Sequence, residues 1–133
     1  MDPAKVGEDI GLWRPEVTGG NWQRLKTSSS SWSNQGLRYY KGLAWYRTTV
    51  EVPTKFAGKR VFLWCGGVDE SAKVWLNGQH LGNSPGAAFY PFEMDATDAV
   101  KPGKNSLVIC VANLVVNELG TGGIVAPVVD LLL

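Results

Sequence analysis

Residue types that could support catalysis are sparse in this sequence. His80, the single histidine, follows an Asn77-Gly78 turn signal, and no nucleophile motif surrounds a serine or a cysteine. Asp69 and Glu70 are adjacent carboxylates, but neighbouring side chains on an extended segment point to opposite sides, which suits neither glycoside hydrolysis nor a carboxylate dyad. We therefore predict no catalytic residues, with Asp69 and Glu70 in a solvated loop and His80 exposed or half-buried.

Metal, phosphate and disulfide signals are also weak. No loop has the spaced acidic pattern of a calcium site, so we expect no cofactor and no metal ligands, with a structural calcium ion as the alternative. The stretch Gly120-Thr121-Gly122-Gly123 precedes a predicted strand and lacks the helix N-terminus that binds anions. Cys65 and Cys110 are too few for a disulfide framework, and we predict two buried free thiols.

Sugar recognition is the chemistry that the remaining residues fit. Aromatic side chains occur in a loop without hydrophobic periodicity, and amide and carboxylate side chains occur in other loops. Flat rings pack on the C–H face of a pyranose, while amides and carboxylates hydrogen-bond to its hydroxyl groups. The candidate ligand-binding residues are Trp32, Tyr39, Tyr40, Asn83, Asn117 and Glu118.

Composition narrows the class of protein. The chain has 133 residues, enough for one domain, and 13 basic residues against 12 acidic ones give a formal charge of +1. Because nucleic-acid and anionic-membrane binders depend on clustered positive charge, neither partner is expected. No apolar run approaches the length of a membrane-spanning helix, and the first residues do not resemble a signal peptide.

The hydrophobic pattern predicts an all-β protein. Fourteen aromatic residues and 23 glycines and prolines accompany short alternating segments, and no helix-period segment competes with them. Residues 1–20 are expected to form an irregular lead-in, a linker or a tie across the sheet, and residues 21–133 a single domain. We predict about eight antiparallel strands in a jelly-roll β-sandwich. The strand patterns cover residues 21–27, 44–52, 59–65, 72–76, 79–82, 88–94, 106–113 and 124–133.

Strand direction predicts which loops meet. Antiparallel strands joined by short connections alternate in direction, so every second loop falls at the same end of the sandwich. One end, called the bottom here, collects residues 28–43, 66–71, 83–87 and 114–123. The top collects turn residues and lysines. All six candidate ligand-binding residues fall at the bottom, which is therefore the predicted site.

Six segments in register resemble one known family. They are Ser31-Trp32-Ser33-Asn34-Gln35-Gly36, Gly42-Leu43-Ala44-Trp45-Tyr46-Arg47, Val74-Trp75-Leu76-Asn77-Gly78-Gln79-His80-Leu81-Gly82, Pro91-Phe92-Glu93-Met94-Asp95, Gly103-Lys104-Asn105-Ser106-Leu107 and Gly122-Gly123-Ile124. Together they resemble the N-terminal sugar-binding, galactose-binding-like domain of family 2 glycoside hydrolases, over residues 21–133. Related carbohydrate-binding modules share this sandwich.

The resemblance implies an accessory role. In that family the two catalytic glutamates lie on a separate barrel domain, and this chain has no segment of that size. Family members tend to carry Arg-Asp after the last Gly-Ile, where this chain has Ala126-Pro127. The resemblance implies a fragment of a larger bacterial enzyme, in an exported or extracytoplasmic setting, with the catalytic domain as a partner.

Three functions follow from these observations. The first is a non-catalytic carbohydrate-binding domain, an accessory module of a glycoside-active enzyme with a carbohydrate ligand at the bottom loops. The second is a structural domain that packs against a catalytic domain and binds no sugar. A small free-standing hydrolase is the least favoured.

Overall fold

Seven β-strands pack as two antiparallel sheets. The computed structural model describes residues 1–27, 30–86, 88–113 and 122–132. The strands are β1 (Gly42–Val52), β2 (Val61–Cys65), β3 (Ser71–Leu76), β4 (Gln79–Asn83), β5 (Phe92–Asp95), β6 (Gly103–Asn113) and β7 (Val128–Leu132). One sheet has the order β1-β6-β3-β4 and the other β5-β2-β7. The only helical elements in the described residues are two short 3-10 turns, Ser33–Gln35 and Thr54–Phe56. The all-β sandwich prediction is confirmed.

Four details of the predicted strand pattern are wrong. Residues 21–27 form no strand, and Leu25 packs its side chain on the core without a backbone ladder. β5 begins only at Phe92, because Pro91 has no N–H to donate and residues 88–89 form a turn. β6 begins at Gly103, whose φ of +85° turns the chain directly into the strand. The last strand begins only at Val128, and it pairs with β2.

The inner faces of the two sheets form the main core. On β6, Leu107, Ile109 and Val111 point into this core, while Val108 and Cys110 point to the opposite face, because side chains alternate along a strand. Both cysteines are buried and free, which confirms that prediction. Burial raises the pKa of Cys110 to about 12, so this thiol is unreactive at neutral pH.

The lead-in covers the outer face of the larger sheet. Leu12 and Trp13 pack on a second cluster that contains Trp45, Trp75 and Cys110. The Arg47 side chain of β1 holds this segment in place, since its guanidinium donates to the carbonyl oxygens of Leu12 at 2.7 Å, Arg14 at 2.8 Å and Pro15 at 3.2 Å. The lead-in, residues 1–20, is irregular, and it packs across the outer face of the larger sheet.

Asp2 fixes the first turn of the lead-in. Its buried carboxylate accepts hydrogen bonds from Gly7 N at 2.7 Å, Val6 N at 3.0 Å and the indole N–H of Trp45 at 3.0 Å. Burial opposes ionisation of Asp2, but these hydrogen bonds outweigh it and lower its pKa below the ordinary 3.8.

The lowered pKa of Asp2 predicts that its contribution to the stability of the domain is lost in acid. A folded-state pKa below the unfolded value gives a stabilisation that is present above about pH 4 and is lost as the pH falls further. We expect Asp2→Asn to lower the free energy of unfolding at pH 6 and to remove the part of the pH dependence below pH 4 that Asp2 causes. Urea unfolding at pH 6 and pH 3 measures both effects. Asp9→Asn, at an exposed position, is the control, and equal pH profiles for Asp2→Asn and the parent chain would contradict the assignment.

The side chains of two asparagines hold the loops at the top of the sandwich together. The fully buried Asn105 side chain accepts from Asn77 Nδ2 and Lys101 N, both at 2.8 Å, and donates to the carbonyl oxygens of Lys101 at 2.7 Å and Gly103 at 2.8 Å. Asn77 also donates to Ala99 O at 2.8 Å and accepts from Ser106 N at 2.9 Å. The top loops are therefore held by side-chain amides.

Asn105→Ala tests this network. The substitution leaves backbone donors and acceptors unpaired in a buried site, which should cost about 2–4 kcal/mol of stability. Asn34→Ala, at an exposed position, should change stability by less than about 0.5 kcal/mol. Chemical denaturation of both variants makes the comparison, and equal values would rule out a structural role for the Asn105 amide.

Candidate functional site

The bottom loops converge as strand direction predicted. At this end Gly42 of β1 stands opposite Asn113 of β6, and Ser71 of β3 stands opposite Ala112. In the other sheet Cys65 of β2 is paired with both Phe92 and Val128. The described connections that meet there are residues 30–41, 66–70, 84–86, 88–91 and 122–127.

Backbone hydrogen bonds join these loops side by side. Trp32 N donates to Gly122 O at 3.0 Å, and Asp69 N donates to Gly123 O at 2.9 Å. Phe89 N in turn donates to Val68 O at 2.8 Å. The four loops therefore form one connected rim, which can hold surface side chains in a defined arrangement.

Trp32 lies in the core and not on this rim. Its side chain is fully buried, and its indole N–H donates to the Tyr46 hydroxyl. The prediction that Trp32 stacks on a ligand is wrong, because neither face of the ring is accessible. The loop carries no hydrophobic period that would have revealed the burial. Trp32 is instead the centre around which the bottom loops fold.

Gly122 and Gly123 make room for the Trp32 ring. A Cβ atom on Gly122 would lie 2.7 Å from Trp32 Cε3, and one on Gly123 would collide with Trp32 Nε1 and lie 2.6 Å from the Tyr46 hydroxyl. Both glycines also have positive φ angles, of +101° and +85°. The Gly122-Gly123 pair is therefore required by close approach as well as by backbone conformation.

Gly123→Ala separates these two requirements when it is compared with Gly86→Ala. Gly86 has a similar φ of +82° but open space around its Cα, so its alanine variant should lose only about 1 kcal/mol of stability. Gly123→Ala should lose at least about 2 kcal/mol more, because the Trp32 ring must move. Thermal unfolding with Trp fluorescence compares the two variants, and similar losses would show that Trp32 packing places no demand on Gly123.

Tyr40 and Tyr39 have different roles. The Tyr40 hydroxyl donates to Leu43 O at 2.6 Å and accepts from Asp2 N at 3.0 Å, and its ring packs edge-to-face with the Trp32 ring, with centroids 5.5 Å apart. Burial raises the pKa of Tyr40 above its ordinary value of 10.0. Tyr40 thus ties the lead-in to the rim, and it is poorly placed to stack on a ligand. Tyr39, in contrast, is 86% exposed.

Asn83 closes β4 at the same end. Its side chain is exposed, and its Oδ1 lies 3.1 Å from His80 Nε2. The His80 ring is exposed and rests against Trp75 with ring centroids 5.2 Å apart, in line with its predicted surface position. Asn117 and Glu118 lie outside the described residues, so their assignment stays a prediction.

Two rim aromatics were missed by the sequence analysis. Phe89 is 45% exposed and Tyr90 is 69% exposed, on the turn that enters β5. Phe89 has a φ of +66°, which is rare for a bulky side chain. The predicted strand over residues 88–94 hid both rings, although Pro85-Gly86 and Pro91 are turn signals that bracket them.

The carboxylates at the rim also differ from expectation. Asp69 is only 8% exposed, so its predicted place in a solvated loop is wrong, and Glu70 adopts a φ of +61°. Within the described residues, no group of three His, Cys, Asp or Glu side chains comes together in a way that could hold a metal ion. The described part of the chain also has no helix long and apolar enough to span a membrane.

Two antiparallel sheets with a connected loop rim at one end define a galactose-binding-like β-sandwich. Residues 30–119 match the family model described as glycosyl hydrolase 2 galactose-binding domain-like, and the chain belongs to this family. This membership confirms the family resemblance seen in the sequence.

The relatives are much longer enzymes. A β-glucuronidase of Paenibacillus borealis is 40% identical over 81 residues, which are 61% of this chain and 13% of the relative. A β-galactosidase of Thermoanaerobacter pseudethanolicus is 36% identical over 72 residues, which are 54% of this chain and 10% of the relative. Among solved structures, a β-glucuronidase of an uncultured Clostridium sp. is 27% identical with a TM-score of 0.68, covering 82% of this chain and 19% of that chain.

The match concerns only a small part of these relatives. The chain spans about a tenth of the curated relatives' length, and the matched part is their galactose-binding-like domain, which is not catalytic. The given chain therefore corresponds to a non-catalytic domain of these longer enzymes. Its family membership supports an accessory module of a larger glycoside hydrolase.

Proposed function

We propose that this domain binds carbohydrate without cleaving it, at the rim formed by the bottom loops. The observation that carries the proposal is that three exposed aromatic side chains, Tyr39, Phe89 and Tyr90, stand on loops joined by backbone hydrogen bonds. Exposed rings on a rigid frame offer stacking surfaces at low entropic cost. The relatives are a β-glucuronidase and a β-galactosidase, which favours a glycan as the ligand.

Polar groups near these rings can form directional hydrogen bonds with a sugar. The exposed Asn83 amide can exchange hydrogen bonds with sugar hydroxyls, and its contact with His80 limits its rotation. Arg38 lies over the Tyr39 ring, 5.9 Å from its centroid, and steadies a side chain that is otherwise almost fully exposed. Trp32 and Tyr40 support the rim from below. The contacting residues in this proposal are Tyr39, Asn83, Phe89 and Tyr90, with Asn117 and Glu118 retained from the sequence as further candidates.

The affinity should be weak. Each sugar hydroxyl exchanges water for protein at a small net gain, and one aromatic contact contributes about 0.5–1.5 kcal/mol. Tyr39→Ala and Tyr90→Ala should therefore each raise the Kd for a bound glycan about two- to tenfold. Phe56→Ala, at the top of the sandwich, is the matched control and should leave the Kd unchanged.

Affinity gels and a glycan array, run with calcium and with EDTA, measure these effects. Retention of a glycan by the parent chain together with normal retention by both tyrosine variants would overturn the rim assignment. A parent chain that retains no glycan at millimolar concentration would overturn carbohydrate binding itself. Loss of retention in EDTA would identify a calcium requirement.

A structural role is the second candidate. Phe89 and Tyr90 are adjacent and exposed, and Phe89 adopts an unusual backbone conformation, which also suits contact with a catalytic domain of the same enzyme. In that case the isolated chain would bind no glycan. Phe89→Ser-Tyr90→Ser would then weaken its association with a family 2 catalytic domain supplied separately, while Tyr39→Ala would not.

A further inference from the structure

The turn between β3 and β4 carries a dipeptide that is chemically unstable in flexible chains. Asn77 and Gly78 are its central residues, and their φ angles are +51° and +83°. In an asparagine–glycine pair the glycine nitrogen can attack the asparagine side chain, because glycine has no Cβ to hinder the approach. Asparagine is one of the residues that heat damages chemically. The turn therefore contains the residue types that spontaneous deamidation requires.

The reaction changes one side chain and consumes only water. The backbone nitrogen of Gly78 bonds to Cγ of Asn77, the Cγ–Nδ2 bond breaks, and the Gly78 amide proton leaves with Nδ2 as ammonia. The product is a cyclic imide. Water then opens either carbonyl of the imide and gives aspartate or isoaspartate at this position, without a change of oxidation state. Each event therefore replaces a neutral amide by a carboxylate.

Hydrogen bonds hold both polar atoms of the Asn77 side chain in the folded domain. Its Nδ2 donates to Ala99 O and to Asn105 Oδ1, both at 2.8 Å, and its Oδ1 accepts from Ser106 N at 2.9 Å. The Asn77 backbone N–H also donates to Ser106 O at 2.8 Å. Ring closure must break the side-chain bonds, because the departing Nδ2 is the donor in two of them. The closed structure thus opposes the reaction.

The lead-in restrains the other half of the dipeptide. A Cβ atom on Gly78 would lie 3.2 Å from Pro15 Cδ and 3.9 Å from Trp13 Cζ3, so these residues pack directly on the turn. The Pro15 carbonyl oxygen is itself held by the Arg47 guanidinium at 3.2 Å. A turn packed on both sides cannot adopt the ring-closing geometry unless its neighbours move.

We infer that Asn77 is a site of spontaneous deamidation whose rate is set by local opening of the top end. When opening is fast compared with the chemistry, the rate equals that of the open form multiplied by its population. The product cannot restore the closed state, because a carboxylate has no hydrogen to donate to Ala99 O or Asn105 Oδ1 and repels both oxygens. Deamidation therefore turns a reversible opening into a permanent loss of stability. This inference does not depend on carbohydrate binding at the rim.

Peptide mapping by mass spectrometry measures the rate in the parent chain, folded and in unfolding urea at mildly alkaline pH. Asn77 should deamidate at least about tenfold more slowly in the folded chain. Its folded-state rate should also exceed the unfolded rate multiplied by the unfolded fraction that a denaturation curve gives. Equal rates in the folded and unfolded chains would overturn the protection. A folded-state rate equal to that product would overturn local opening, because global unfolding would then be the route.

Two destabilised variants locate the opening. Asn105→Ala removes a partner of the Asn77 amide and should raise the rate at Asn77 at least about fivefold, while the exposed Asn83 at the bottom end keeps its parent rate. Gly123→Ala destabilises the bottom end and should leave the rate at Asn77 within about twofold of the parent value. Equal acceleration of Asn77 by both variants would overturn local opening of the top.

Asn77→Asp reproduces the aspartate product. Aspartate tolerates the same positive φ, so the variant reports the lost hydrogen bonds and not backbone strain. It should lower Tm by at least about 5 °C. Asn34→Asp, the same charge change at an exposed position, should shift Tm by less than about 2 °C. Equal shifts would overturn the permanent loss of stability. Glycan retention is scored separately, so failure here leaves the rim proposal unaffected.

Discussion

The antiparallel ladder between β1 and β6 is the constraint on which the rest of the structure depends. It runs without a register shift from Gly42 opposite Asn113 to Val52 opposite Gly103. Because side chains alternate along a strand, this one register assigns Leu107, Ile109 and Val111 to the main core and Val108 and Cys110 to the cluster beneath the lead-in. A slip of one residue would exchange these faces. The two ends of the ladder also define the two ends of the sandwich.

The two ends are stabilised in different ways. At the top, the Asn105 and Asn77 amides bind backbone groups from several turns, so side chains hold the chain and little polar capacity is left for a ligand. At the bottom, backbone hydrogen bonds between loops and the buried Trp32 ring do this work. Rim side chains such as Tyr39 and Tyr90 are therefore left at the surface. This division leaves exposed side chains at the bottom end, as the proposed carbohydrate binding requires, while the Asn77 and Asn105 amides at the top end are used in holding the turns.

Period-two alternation and turn chemistry were enough to predict β1 to β4, most of β6 and the end at which each described loop lies. They did not predict burial inside a loop. Trp32 is buried by Gly122 and Gly123, which are far away in sequence, so no local pattern distinguishes it from the exposed Tyr39. Phe89 and Tyr90 were missed for a related reason. Aromatic residues occur both in a short strand and in the turn next to it, so residue type does not separate the two elements. Sequence patterns thus gave the frame of the site, while tertiary contacts decide which of its rings are exposed.

Weak sugar binding is compatible with a useful function when the domain is part of a larger enzyme. A tethered site experiences an effective ligand concentration in the millimolar range for a short linker, so a modest affinity still keeps a polysaccharide near the tether. Tight binding would slow release between successive cleavage events. In the proposed site, the described residues form a rim of a few exposed aromatic rings and an amide, which fits an affinity of this kind. The physical role of the sandwich is then to hold those side chains rigidly, so that little of the small stacking energy is spent on ordering them.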